Sequence, residues 1–178
     1  MDASRKFLFT GSPGVGKTTA IRAISDIEPV TTEMAASDEL AARKESTTAA
    51  LDFGEIRLDD GERIRLYGTP GQRRFDFMWE LLTEGAMGVV ILVDNSRPDP
   101  LADLDIYVEN FGQLIRDTGA VIGVTRTDRY STPDVDAFYA RLGAHRLMLP
   151  ILECDIRERD DVTLLMDALM STIEPESA

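Results

Sequence analysis

The chain has 178 residues, of which 43% are hydrophobic and 29% are charged, and its formal net charge at pH 7 is −13. This length suits one domain that buries about 70% of its unfolded surface. The negative charge argues against nucleic acid and anionic membranes as binding partners, because both repel an acidic surface. The single cysteine, Cys154, rules out an internal disulfide and fits a reducing cytoplasm.

The ends of the sequence carry no targeting pattern. The first residues, Met-Asp-Ala-Ser-Arg-Lys, have no apolar signal-peptide segment, and the last residues, Glu-Pro-Glu-Ser-Ala, have no prenylation box. No apolar run approaches about 18 residues, the minimum for a membrane-spanning helix. We therefore expect a cytoplasmic domain without a membrane anchor of its own.

The first predicted strand, Arg5–Phe9, leads into a glycine-rich turn. Residues 11–18 read Gly-Ser-Pro-Gly-Val-Gly-Lys-Thr, which is the P-loop spacing G-x-x-x-x-G-K-[ST], and a helix is predicted from Thr18 to Ile27. Glycines let the backbone curl so that N–H groups point at phosphate oxygens, and the helix dipole favours the same anion. The turn predicts a nucleoside-phosphate site, and a turn without a ligand is the weaker alternative.

Within this turn, Lys17 is expected to contact the outer phosphates and Thr18 to offer its hydroxyl to Mg²⁺. The residues assigned to the nucleotide here are Ser12, Pro13, Gly14, Val15, Gly16, Lys17, Thr18 and Thr19.

Residues 30–48 are polar, rich in threonine and weakly periodic, which predicts a long functional or mobile loop. Two strand-like runs follow, Ala50–Leu58 and Glu62–Tyr67. They are joined by Asp59-Asp60-Gly61 and predict a β-hairpin with its turn at Asp60-Gly61.

The turn at residues 68–72 then leads into a predicted helical segment, Arg73–Leu82. Strands are predicted after it at Val89–Val93, Ala120–Val124 and Leu149–Cys154, and helices at Pro100–Asp117, from Thr132-Pro133 to Leu142, and at Val162–Ile173. The pattern predicts one α/β domain, with a six-stranded, mixed and mostly parallel sheet and one antiparallel edge strand. Ligands of such sheets bind at the carboxyl ends of the parallel strands.

The motifs resemble those of Ras-like small GTPases over nearly the whole chain, which implies the three-layer P-loop NTPase fold. Thr48 matches the switch I threonine of that family, and Gly68-Thr69-Pro70-Gly71-Gln72 stands where the family has Asp-x-x-Gly-Gln. Thr125-Arg126-Thr127-Asp128 stands at the guanine-reading Asn/Thr-Lys-x-Asp, and Glu153-Cys154-Asp155-Ile156 at the Ser-Ala loop over the base. The combination is similar to the bacterial gliding-motility and conservon types, which are encoded beside roadblock-type partners.

The resemblance implies a molecular switch that binds GTP and Mg²⁺, hydrolyses GTP to GDP and phosphate, and regulates partner proteins. It implies that Thr18 and Thr48 bind Mg²⁺, that the Gly71 N–H approaches the γ-phosphate, and that Gln72 orients the attacking water. A solvent-facing glutamine at the start of a helix is the alternative for Gln72.

At the base, the resemblance implies that Asp128 accepts two N–H bonds from guanine and that Arg126 stacks on the purine. An Asx-type turn residue is the alternative for Asp128. The remaining residues assigned to the base are Thr125, Asp155 and Ile156.

Three features depart from the family pattern. Gly68 replaces the aspartate that holds Mg²⁺ through water, which predicts weaker coupling to the metal. Pro13 stands near the γ-phosphate where a glycine is usual, and it removes one N–H. Arginines follow Gln72, and Arg74, Arg73 or Arg43 is a hypothetical arginine finger in cis, with a solvated charged face as the alternative.

The segment after Gln72 holds too many large apolar residues for one narrow stripe, namely Phe75, Phe77, Met78 and Trp79. Most are expected in the core, and an exposed remainder that includes Trp79 would bind a roadblock-type regulator. Two other functions stay open. Gly68 and Pro13 favour a pseudo-GTPase scaffold with little turnover, whereas the Gln72 turn and the base-reading slot argue against a P-loop kinase.

Overall fold

A computed structural model gives the structure of the chain and describes residues 5–35 and 48–173. The described strands form one seven-stranded sheet in the order β2-β3-β4-β1-β5-β6-β7. Their bounds are β1 Arg5–Gly11, β2 Val30–Ala35, β3 Thr48–Arg57, β4 Arg63–Gly68, β5 Gly88–Asp94, β6 Ala120–Thr125 and β7 Ile151–Cys154.

Six α-helices cover the described sheet on its two faces, in addition to a short 3₁₀ turn at Arg73–Phe75. They are α1 Lys17–Ile24, α2 Phe77–Thr83, α3 Pro100–Asn110, α4 Gly112–Asp117, α5 Val135–Ala144 and α6 Arg159–Ile173. One face of the sheet packs against α2, α3, α4 and α5, and the other packs against α1 and α6. None of the described helices combines the length and the apolar character that a membrane-spanning helix needs.

The sheet is mostly parallel, as the sequence predicts. β1 lies between β4 and β5 and is parallel to both, and β6 and β7 continue the parallel set. β5 and β6 are buried along their whole length because helices cover both of their faces. The fold class is therefore confirmed.

The strand count differs from the prediction because Val30–Ala35 is a strand rather than part of a long loop. It pairs antiparallel with β3, and β3 pairs antiparallel with β4, so that β2 is the edge of the sheet. The valine and threonines of this segment are residues that fit a half-buried pleated surface, although their polarity hides the strand from a periodicity search. Residues 36–47 of the predicted loop lie outside the described residues.

The predicted hairpin is present, with a three-residue connection at Asp59, Asp60 and Gly61. Leu58 N–H donates to the Glu62 carbonyl at 2.9 Å, and Gly61 has a φ of 87°, in the left-handed region that glycine adopts without strain. A two-residue turn at Asp60-Gly61 would shift every pair of the hairpin by one residue. The three-residue connection instead places Asp52 of β3 opposite Gly68 of β4.

The predicted helices begin or end at other residues: α1 ends at Ile24, α2 begins at Phe77 and α6 begins at Arg159. The segment Pro100–Asp117 is divided at Phe111, whose φ of −100° and ψ of 10° interrupt the helix while its ring packs in the core. Asp134, rather than Thr132, caps α5, because its side chain accepts a hydrogen bond from the Ala137 N–H.

Most of the apolar residues after Gln72 are core residues, as expected. Phe75, Met78 and Trp79 are buried, and Phe77 is half-buried. The Trp79 ring stacks on Phe111 with 5.5 Å between the ring centroids. The prediction that Trp79 belongs to an exposed partner surface is wrong, because α2 turns its indole toward α3 and α4.

Candidate functional site

The P-loop connects the end of β1 to the start of α1 through three glycines with positive φ. Gly11, Gly14 and Gly16 have φ values of 147°, 75° and 109°. A Cβ at Gly11 would lie 2.4 Å from the Leu92 carbonyl oxygen, so any side chain there would force the strands apart. No side chain caps the first turn of α1, and its free N–H groups are the donors that an anion would use.

Lys17 is buried at the centre of this turn, with 8% of its surface exposed. Its Nζ donates to the carbonyl oxygens of Gly11 at 2.8 Å and Ser12 at 3.0 Å. Burial lowers the pKa of Lys17 to about 8, and the charge of Asp52 offsets part of that effect. The ammonium is thus a desolvated cation whose direct acceptors are neutral carbonyls, an arrangement that favours an incoming anion.

The turn at residues 68–72, called switch II below, lies directly against the P-loop. The Thr69 N–H donates to the Phe9 carbonyl at 2.9 Å, and the Thr69 hydroxyl donates to Thr10 Oγ1 at 2.7 Å. Gly71 comes so close that a Cβ there would lie 2.8 Å from Lys17 Nζ and 2.8 Å from the Pro13 nitrogen. Only a glycine fits this approach, and Gln72, the next residue, is exposed.

A carboxylate that the sequence reasoning missed stands beside Thr18. The Thr18 hydroxyl donates to Asp52 Oδ2, and the Thr31 hydroxyl donates to Asp52 Oδ1 at 3.0 Å. Asp52 faces Gly68 across the β3–β4 ladder, and a Cβ on Gly68 would lie 3.1 Å from Asp52 Cβ and 3.3 Å from Asp52 Oδ2. Asp52 therefore fills the space that a side chain at position 68 would need.

Arg126 joins the P-loop to the end of β5. Its guanidinium donates to Asp94 and Ser96, and its Nη2 donates to the Gly14 carbonyl at 3.2 Å. The backbone at Arg126 has a φ of 62°, which is uncommon for a residue with a Cβ and is held here by these contacts. Arg126 is thus tethered on the cavity side of the strand ends, where the prediction that it stacks on a purine stays untested.

The loop after β6 carries Asp128, whose side chain is 73% exposed and lies 3.8 Å from the Arg129 guanidinium. Asn95 holds this loop, because its amide nitrogen donates to the carbonyls of Tyr130 and Pro133. Asp128 is therefore exposed and open to a ligand.

The predicted loop over the base is held by its own arginine. Arg157 donates to both carboxylate oxygens of Asp155 and lowers the pKa of Asp155 to about 2. The Ile156 side chain lies over the P-loop, since a Cβ at Gly16 would meet Ile156 Cδ1 at 1.9 Å. Cys154 lies below this loop as a buried thiol, and burial raises its pKa to about 12.

One cavity of about 650 Å³ connects the P-loop with both of these loops. Most of the predicted base-site residues line it together, at the carboxyl ends of β1, β6 and β7. The lining residues are Gly14, Val15, Gly16, Thr19, Ser96, Thr125, Arg126, Thr127, Asp128, Arg129, Tyr130, Cys154, Asp155, Ile156 and Arg157.

Three predicted site residues are described only in part or not at all. Thr48 is the first residue of β3, about 13 Å along that strand from Asp52, and its side chain lies outside the described part. Arg74 belongs to the 3₁₀ turn, but its side chain is likewise not described. Arg43 lies outside the described residues. In this conformation, Thr18 is the predicted metal ligand that stands at the P-loop.

The fold and this site define a class of protein, a P-loop domain with the architecture of a GTPase G domain. The G domain of the T. maritima FeoB iron transporter has the same fold, with a TM-score of 0.66 and 17% identity over 95% of this chain and 98% of that chain. The chain belongs to the family described as conserved hypothetical ATP binding protein, whose sequence model matches residues 26–138. The matched stretch begins after the P-loop.

Relatives are found among archaeal and Ras-related proteins. The uncharacterized protein MJ1339 of Methanocaldococcus jannaschii is 33% identical over 93 residues, which span 52% of this chain and about half, 52%, of that protein. The Ras-related protein RabC of Dictyostelium discoideum is 23% identical over 175 residues, which cover 95% of this chain and 83% of RabC. Ras-like relatives therefore match the chain along most of its length.

We expect the binding of a nucleoside diphosphate to be coupled to proton uptake by Lys17. In the free protein the pKa of Lys17 is about 8, so at about pH 8.5 a large share of the chains carries the neutral amine. A bound polyphosphate favours the ammonium and raises that pKa, so binding above the free pKa takes up a proton. Calorimetry of GDP binding in buffers of different ionisation enthalpy measures the uptake.

The matched control is Lys17→Arg, which keeps the positive charge but has no accessible titration. We expect the uptake at about pH 8.5 to disappear in this variant and to be small in the wild type at about pH 6.5. Equal uptake by the wild type and Lys17→Arg would contradict the assignment to Lys17.

Proposed function

We propose that the protein is a GTP-binding molecular switch that hydrolyses GTP to GDP and phosphate. The observation that carries this proposal is the single cavity that runs from the P-loop to the loop of Asp128. The P-loop that borders this cavity combines uncapped helix N–H groups with the buried ammonium of Lys17. The other end offers an exposed carboxylate, which suits the paired N–H donors of guanine and leaves adenine without a match.

The family description names ATP, which makes adenine the competing base. Guanine is favoured because Asp128 lines the cavity and is free to accept hydrogen bonds from a ligand. Arg126 and Ile156 border the same space and would flank the base from the P-loop side. The other residues proposed for this end are Thr125 and Asp155.

Mg²⁺ fits the phosphate end of the site because hydroxyl and carboxylate oxygens stand together there. We propose that Thr18 and Asp52 hold it, with Thr48 joining only if switch I leaves the β3 ladder. A P-loop Mg²⁺ takes one or two protein carboxylates, directly or through water, together with phosphate oxygens. Among the described residues, no three His, Cys, Asp or Glu side chains form a metal-binding group, and a P-loop Mg²⁺ does not require such a group. When bound, the ion neutralises charge between the outer phosphates.

Asp52 thereby compensates for Gly68. The carboxylate usually supplied by the strand of switch II comes here from the neighbouring strand, and Thr31 orients it. We therefore propose that Gly68 does not weaken the coupling to the metal, because the carboxylate of Asp52 stands beside that position.

For hydrolysis, we propose that Gln72 orients a water molecule that attacks the γ-phosphorus while the bond to the β-phosphate oxygen breaks. Gln72 is exposed and directly follows Gly71, whose backbone touches Pro13 and Lys17. The Gly71 N–H and the Lys17 ammonium would stabilise charge on the γ-phosphate. Arg74 is the arginine proposed to add positive charge in cis.

A roadblock-type regulator remains the proposed partner, in a cytoplasmic setting. With Trp79 buried, the apolar residue that α2 leaves open is Leu81, which is 63% exposed. Leu81 follows the switch II turn by fewer than three helical turns, so a partner bound there would sense the state of that turn.

The proposed function predicts tight, Mg²⁺-dependent binding of GTP and GDP and slow release of phosphate from GTP. ATP should bind at least about a hundredfold more weakly, because adenine cannot satisfy Asp128. Competition binding with GTP, GDP and ATP measures the preference, and single-turnover phosphate release measures hydrolysis. Gln72→Leu should slow release by about tenfold or more without changing GDP affinity.

Further variants sharpen this test. Asp128→Ala should remove the preference for GTP. Asp155→Asn is the comparison, because it keeps the shape of the side chain at the neighbouring position. Alanine at Arg74 or Arg73 should slow phosphate release if either supplies charge to the reaction, and unchanged rates in both would remove that role. Equal binding of ATP and GTP would reject guanine specificity, and tight binding without release would favour the scaffold.

If Asp52 supplies the carboxylate for the metal, the residues at positions 52 and 68 should be exchangeable between β3 and β4. Asp52→Gly should weaken Mg²⁺-dependent GTP binding by about tenfold, since one charged ligand to the metal site is lost. The exchange variant Asp52→Gly/Gly68→Asp should recover part of this loss, because the space beside position 68 is then vacant. Binding titrations of a non-hydrolysable GTP analogue against Mg²⁺ concentration measure both effects.

Gly68→Asp alone is the control for this exchange. Its carboxylate would crowd Asp52, so we expect lower stability and weaker binding than in the exchange variant. Unchanged Mg²⁺ dependence in Asp52→Gly would reject the assignment.

The partner proposal predicts that Leu81→Ala weakens capture of a roadblock-type protein by about fivefold or more. Met148→Ala is the matched control, because Met148 is 96% exposed and lies just before β7, away from switch II. A capture assay with GDP and with a GTP analogue measures both. Capture that depends neither on Leu81 nor on the nucleotide would count against this surface.

A further inference from the structure

Trp79 makes one polar contact that packing alone does not explain. Its indole Nε1–H donates to the Pro70 carbonyl at 2.8 Å, and the bond is buried. The ring is 2% exposed and is fixed between Phe111 and Tyr107, at centroid distances of 5.5 Å and 5.3 Å. The core of the domain therefore holds the carbonyl group that immediately precedes Gly71.

The Pro70 carbonyl and the Gly71 N–H belong to the same peptide group. In a planar trans peptide the C=O and the N–H point in opposite directions. With the carbonyl turned to Trp79, the Gly71 N–H points away from α2. Pro13 and the Lys17 ammonium lie against Gly71, within 2.8 Å of the position of a Cβ.

The peptide between Pro70 and Gly71 is also where the anchored part of switch II ends. Thr69 is tied to β1 through Phe9 and Thr10, and Pro70 is tied to Trp79. Gln72 is exposed. A rotation of this one peptide would exchange its N–H for its carbonyl on the side of the P-loop, without moving Thr69.

We propose that Trp79 is a positioning residue that holds the Pro70–Gly71 peptide with its N–H ready to donate to a γ-phosphate. Without this bond the peptide can turn its carbonyl oxygen toward the phosphate, and two electronegative groups then face each other. The effect is confined to the triphosphate, because a diphosphate has no γ-phosphate to meet the peptide. This inference rests on the proposed function and names a residue that favours the binding of GTP relative to that of GDP.

The test compares the affinities of the full chain for a non-hydrolysable GTP analogue and for GDP. Trp79→Phe keeps an aromatic ring but removes the donor. We expect the ratio of the two affinities to fall by about tenfold, the value of one hydrogen bond to a charged acceptor, while GDP affinity stays within about twofold. If Trp79→Phe does not fold, benzothienylalanine at position 79 keeps the shape of the indole and lacks only the N–H.

Phe111→Leu is the matched control, because it disturbs the aromatic stack and leaves the indole donor in place. It should lower the melting temperature without changing the ratio of affinities.

The outcomes separate the two proposals. An unchanged ratio in Trp79→Phe, or an equal fall in Phe111→Leu, overturns the role of Trp79 and leaves the proposed function intact. A wild-type chain that binds neither guanine nucleotide overturns the proposed function, and the role of Trp79 falls with it.

Discussion

The burial of the Lys17 ammonium is the constraint on which the rest of the site depends. A cation removed from water must find acceptors, and here they are the neutral carbonyls of Gly11 and Ser12. The price of desolvation is visible in a pKa lowered to about 8. A bound polyphosphate would offset this desolvation cost. The geometry around Lys17 therefore favours an anionic ligand. The glycines around Lys17 follow from the same constraint, because the backbone must approach both the lysine and its ligand.

A second feature of the site is the strand that supplies its carboxylate. The carboxylate beside Thr18 comes from β3 rather than from β4, and Gly68 leaves the room that Asp52 occupies. Strand neighbours that face each other across a ladder lie close enough for one to take the place of the other. The hydroxyl of Thr18 and the carboxylate of Asp52 thus stand together beside the P-loop, although position 68 carries no side chain.

The switch II turn divides into a fixed part and an exposed part. Thr69 and Pro70 are held by buried hydrogen bonds to β1 and α2, whereas Gln72 faces solvent. The border between the two parts is the Pro70–Gly71 peptide, which lies against the P-loop. An element with two arrangements next to a part that does not move is what the proposed switch requires.

The sequence alone determined the fold class, the P-loop and the stretches that meet around the cavity. Continuous apolar runs mark the buried parallel strands, and the Gly-Lys-Thr spacing marks the turn between β1 and α1. Both signals are local, which is why they can be read from the chain. The pairing of the hairpin is also nearly local, but its register depends on one residue in the connection at Asp59, Asp60 and Gly61.

What the tertiary structure decided are the contacts between residues far apart in sequence. Asp52 is a polar residue inside a strand-like run until the register sets it opposite Gly68 and beside Thr18. Trp79 is one of three aromatic residues in its segment until packing turns its indole inward to Pro70. The polar pattern of Val30–Ala35 does not indicate a strand. Its pairing with β3 in the structure shows that it is one. Each of these contacts depends on the distance between two separate elements. No local pattern along the sequence indicates that distance.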